Sequence, residues 1–142
     1  MKFFIVLTKR RLVVITAVII MAVVITGQIF SAESGRIDGS TDTARESYLK
    51  SLKIEIDSKD AVSKEIVIPD TFNDVYKEYN NLQQQAGFDL SDYKGRQATV
   101  YTYPLGFSSE RVVNLIVCDG YIIGGDVSSI KLDGEMRALT QM

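Results

Sequence analysis

Residues 12–30 form an apolar run that carries no charge and sits directly behind Lys9, Arg10 and Arg11. At 1.5 Å per residue a helix of roughly 19 residues reaches about 28 Å, close to the ~30 Å of hydrocarbon that a spanning helix crosses. The run therefore predicts a membrane-spanning helix. A secretory signal peptide shares the basic start, but its apolar stretch is only about 7 to 15 residues and its cleavage site needs two small residues. The best site here ends at Ala32 and puts Phe30 at the first of them. Lys2, Lys9, Arg10 and Arg11 precede the run and only Arg36 follows it closely, which predicts a cytoplasmic N-terminus and an extracytoplasmic remainder. The expected organisation is a basic flank (1–11), a transmembrane helix (12–30), a flexible Ser-, Gly- and Thr-rich tether (31–42) and one extracytoplasmic domain (43–142).

Within that domain the periodicity changes several times. Residues 44–52 read as a short helix, with Thr43 and Glu46 at capping-box spacing and Tyr48, Leu49 and Leu52 toward the core. Residues 54–57 alternate like a strand, with residues 65–68 as the expected return partner. Asp70 or Thr71 is the expected cap of a longer helix carrying Phe72, Val75, Tyr76, Tyr79 and Leu82 on one face. Its other face holds Asn73, Asp74, Lys77, Asn80, Asn81 and Gln84, and Gly87 ends it. Gln83, Gln84 and Gln85 read as a solvated stretch of this helix.

Three β-rich runs follow, at residues 98–103, 112–118 and 121–127, and Asp119-Gly120 between the last two fits a type I′ turn. Strands gathered after helices without a crossover predict an α+β domain: a largely antiparallel sheet packed by one main helix and a shorter one.

These segments also carry a resemblance. IPDTFNDVYKEYNNLQQQAGFDLSDYKG, then YTY, then NLIVCDGYIIGGDVSSIKLDGEM resemble the bacterial membrane-anchored family known as domain of unknown function 4830, over about residues 48–139. Where that family favours Gly-Trp after the first helix, this chain has Lys53-Ile54. The resemblance implies a Gram-positive-type surface setting and brings no assigned activity, ligand or catalytic residue.

Charge narrows the partners. The chain holds 16 Lys and Arg against 18 Asp and Glu, and four of the basic residues precede the span, leaving 12 against 18, a net of −6, after it. An acidic domain repels nucleic acid and anionic headgroups. The chain has no His, which removes His-based triads and His-bound metals. Its single Cys118 allows no internal disulfide and lies in an apolar run that predicts burial. Asp119, Asp126 and Asp133 each adjoin a glycine, Asp119-Gly120 and Asp133-Gly134 read as turns, and none of the three has the spacing of a calcium loop. No catalytic residue, metal site or cofactor is expected.

Two features remain as a candidate binding surface. Gly124-Gly125 interrupts a strand and marks a bulge, a bend or a close backbone approach beside Asp126 and Ser128. Tyr101 and Tyr103 share a strand face, where aromatic rings serve either packing or a platform for sugar or peptide. The expected function is a noncatalytic, membrane-tethered binding or interaction module that contacts an envelope protein or wall polymer. Its alternatives are a carboxylate-based envelope enzyme that needs no His and a structural subunit of a membrane assembly.

Overall fold

The computed structural model describes residues 35–57, 60–106, 110–131 and 134–140. The expected flank and span, with Asp133, lie outside the described residues. Among the described residues no helix is long and apolar enough to cross a membrane. The chain runs β1 (Ile37–Asp38), α1 (Asp42–Ser51), β2 (Val62–Val67), α2 (Asp74–Gln85), a 3-10 turn (Leu90–Tyr93), β3 (Gln97–Pro104), β4 (Arg111–Cys118), β5 (Tyr121–Ser129) and β6 (Met136–Ala138). All strand pairings are antiparallel in one six-stranded sheet ordered β1-β5-β4-β3-β2, with β6 also on β5. Two helices on such a sheet make the domain α+β, as the succession of patterns predicts. β1 and the helix cap at Thr41 lie within the segment expected to be tether, so residues 37–42 belong to the domain.

The β4–β5 hairpin is built by its turn. Asp119 and Gly120 take φ of 49° and 82°, the two positive angles a type I′ turn needs, and they leave Cys118 paired with Tyr121. Farther along, the register shifts between Ile116 and Val117, which leaves Ile123 as the extra residue of a bulge in β5.

Both faces of the sheet are buried. Val113, Leu115 and Val117 of β4 join Leu49 of α1, Tyr103 and Leu139 on what we call the first face. Ile116 and Cys118 join Ile68, Ala98, Leu90 and Ile123 on the second, with the rings of Phe72, Tyr76, Tyr79 and Tyr93 against them. This explains why residues 115–118 are buried without alternation. Leu49 has no exposed surface, and burying such a side chain contributes about 1.5–3 kcal/mol.

The helices form as the patterns indicate, but their ends differ. The cap of α1 is Thr41, whose Oγ1 accepts from the Ala44 N–H at 3.1 Å, while Thr43 lies inside the helix. At its other end the Lys53 and Ile54 N–H groups donate to the carbonyls of Lys50 and Leu49, both at 3.0 Å, with Lys53 at φ 61°. That is a left-handed position, which glycine suits better than lysine. The cap of α2 is Asn73, its Oδ1 accepting from the Tyr76 N–H at 2.8 Å, in place of Asp70 or Thr71. Gly87, at φ 83°, closes α2 as expected. The buried stripe of α2 is rotated from the expected one: Val75 is 74% exposed, whereas Asn80 and Gln83 are buried.

The expected pairing of residues 54–57 with residues 65–68 does not form. Ile54 is tied back to α1, the Asp57 N–H donates to the Pro104 carbonyl at 3.1 Å, and the Glu55 carbonyl accepts from Gly106 at 3.2 Å. With those groups engaged near the end of β3, β2 pairs along its whole length with β3 instead.

Replacing Gly120 by Val imposes a left-handed angle on a β-branched residue and should cost about 1–3 kcal/mol. A thermal melt checks this, and an unchanged melting temperature would exclude the turn as a determinant of the hairpin.

Candidate interaction surface

On the first face, α1 lays Arg45 over the two tyrosines of β3. Arg45 sits one turn before Leu49, so both point at the sheet. It is only 3% exposed, yet its donors are matched: Nε donates to the Tyr103 hydroxyl at 2.8 Å, Nη1 to the Gly39 carbonyl at 2.6 Å, and Nη2 to Asp42. Its guanidinium carbon lies 3.6 Å from the centroid of the Tyr101 ring. A buried charge left without such partners would be strongly destabilising. Burial pushes the Tyr103 phenol above its ordinary pKa, with Arg45 opposing. Tyr103 is sealed inside, whereas Tyr101 stays partly exposed.

The glycine pair belongs to a different part of the sheet. β1 pairs with the outer edge of β5 at residues 121–122 and β6 at residues 126–128, leaving residues 123–125 between them without a strand. Gln83 fills that gap: its Oε1 accepts from the Gly125 N–H at 2.7 Å. A Cβ on Gly124 would stand 2.8 Å from that oxygen, and one on Gly125 would stand 2.5 Å from the Asn114 carbonyl and 2.8 Å from Leu139 Cδ2. Both glycines are therefore required by close approach. Gln83 Nε2 is buried without a hydrogen-bond partner, a cost of about 1–3 kcal/mol that the arrangement carries.

Asp126 is 2% exposed and held by the Tyr79 hydroxyl and Asn114 Nδ2, each at 2.9 Å. Burial, then the Asp126 charge, pushes the Tyr79 phenol far above its ordinary pKa. Ser128, partly buried, accepts from the same Asn114 amide at 3.2 Å. The six expected surface residues are thus divided: Tyr101 and Tyr103 lie under Arg45 on the first face, while Gly124, Gly125, Asp126 and Ser128 belong to β5, where Gln83, Tyr79 and Asn114 engage three of the β5 residues directly. Of the six, Tyr101 lines a cavity.

That cavity is a groove of about 470 Å³ on the first face, floored by β2, β3 and the β4–β5 turn, with Tyr101, Thr99, Glu65, Val67 and Asp119 in its lining. Arg96 pairs with Asp119. Sequence reading missed Arg45, Gln83 and the groove. For Gln83 a signal existed in the two glycines, which announced a close neighbour without naming it. Beyond the tip of α2, Asp89 anchors the chain by accepting from Ser91, Asn80 and Gln84 at 2.6–2.9 Å, and those bonds, the Ser91 hydroxyl first, hold its carboxyl well below the usual range.

These features define a small α+β domain with a groove beside one open sheet edge. The chain matches the family Domain of unknown function (DUF4830) over residues 48–127 and belongs to it. No curated protein and no solved structure matches the chain.

Gln83→Ala should destabilise the domain by about 2–4 kcal/mol, from the cavity and the unpaired Gly125 N–H, whereas Gln85→Ala should stay within about 0.5 kcal/mol. Denaturant midpoints separate the two. Asp89 has a lowered folded pKa, so its contribution is complete above the unfolded value of about 3.9 and is lost as pH falls below it. Asp89→Asn should flatten the acid limb of a stability-against-pH curve; an unaltered limb would assign acid unfolding to other carboxylates.

Proposed function

We propose that the chain is a membrane-tethered, extracytoplasmic interaction module without a catalytic centre of its own, which contacts an envelope protein or wall polymer. The observation that carries this reading is the groove beside β2, the last strand of the sheet, where main-chain groups and an uncovered stretch of the first face meet solvent together. The buried carboxylate Asp126 is spent on internal bonds to Tyr79 and Asn114, which supports a structural role for it. The uncharged run of residues 12–30 behind Lys9, Arg10 and Arg11 supports the anchor and the outward orientation.

Protease added to intact protoplasts should remove the domain, and proximity labelling from its C-terminus should enrich envelope components over a control carrying the anchor alone. Protection of the domain would end the extracytoplasmic reading. Labelling indistinguishable from the control would end the interaction reading.

A further inference from the structure

We infer that the free edge of β2 takes up an extended, basic polypeptide segment of a partner as a seventh strand, with its cationic side chains directed into the groove on the first face. This rests on the interaction-module reading and adds the chemistry of the partner.

Among the described residues β2 ends the sheet, and five of its six residues are exposed. The Ile68 N–H donates to the Arg96 carbonyl at 2.9 Å, continuing the β2–β3 register by one position. Alternation in an antiparallel ladder then aims the main-chain groups of Val62, Lys64 and Ile66 at β3 and those of Ser63, Glu65 and Val67 away from the sheet. Such a row of outward N–H and C=O groups is matched along its length by another polypeptide backbone. Neither proline nor bulge interrupts it.

The same three residues direct their side chains to the first face, since Ser63 and Glu65 stand opposite Tyr101 and Thr99. Among the described residues, the lining of the groove there contains Glu65 and Asp119 and no basic residue. Arg96 engages Asp119, whereas among the described residues no ion pair engages Glu65. A Lys or Arg on an added strand, opposite Glu65, forms an unlike-charge cross-strand pair and lays its stem toward Val67, which is 58% exposed. The net charge of −6 after the apolar run favours the same partner.

A second copy fits less well. Two β2 strands related by a two-fold axis can keep their faces matched only if one residue meets itself, and at the middle of β2 that residue is Lys64 or Glu65. Like charges then lie together.

The test uses the full chain in mild detergent with a fluorescein-labelled octapeptide of alternating valine and lysine, and a valine–glutamate octapeptide as control. Saturable binding of the lysine peptide alone is expected, with slowed hydrogen exchange at the Ser63, Glu65 and Val67 amides. Glu65→Lys should weaken binding at least fivefold, the remote Glu78→Lys less than twofold, and Glu65→Pro, which deletes one outward N–H, should abolish it. Absence of binding, equal binding of both peptides, equal loss in Glu78→Lys, or binding retained by folded Glu65→Pro would overturn the proposal. So would protection of the three amides that grows with protein concentration without peptide, which marks a second copy. If Glu65→Pro does not fold, amide protection in the unaltered chain decides. Failure here alongside specific envelope labelling leaves the module reading standing, whereas a protease-protected domain removes that reading and leaves peptide binding intact.

Discussion

The hydrogen bond from the Gly125 N–H to Gln83 Oε1 fixes how α2 meets the sheet. A strand edge inside a fold needs partners for its main-chain groups, and β1 and β6 are too short to supply them between residues 122 and 126. A side-chain amide replaces the missing backbone. It reaches that point because Gly124 and Gly125 present no Cβ to the glutamine, to Leu139 or to the neighbouring strand. Bulge, glycine pair and buried glutamine are thus one solution to one problem, and the tyrosines of α2 take their places on the second face from it.

The two edges of the sheet are treated in opposite ways. The β5 side is covered by two short strands and an amide, while the β2 side has no strand beyond it among the described residues. Polar residues differ in how far they are engaged. Arg45, Asp126 and Asn114 are consumed by internal bonds, and Glu65 faces solvent at the open side. The candidate site therefore moves from the glycine pair to the opposite edge, with Tyr101 the residue common to the expected surface and the groove.

What the sequence made legible was local. The hairpin turn needs two adjacent residues, both helices carry apolar positions at helical spacing, and the long strands stand out by their run of β-branched and aromatic residues. What it hid was non-local: Gln83 reads as solvated because its partner lies 42 residues away, and Asn80 because the Leu90 N–H it accepts from lies beyond the helix end. β1 and β6 have two and three residues, too few to show alternation. Arg45 looks like one more surface cation until Tyr103, 58 residues on, supplies an acceptor. For the tyrosine pair, their common strand face could be read, but not that beneath Arg45 one is sealed inside and the other stays partly exposed.

Cys118 gives the domain a built-in clock. It is the only cysteine in the chain, it is free, and at 3% exposure it sits on the second face where β4 enters the turn. A thiol reagent therefore reacts only when that end of the sheet opens. The labelling rate of the native protein, set against that of the unfolded chain, measures the free energy of that opening at one known atom, without an engineered probe.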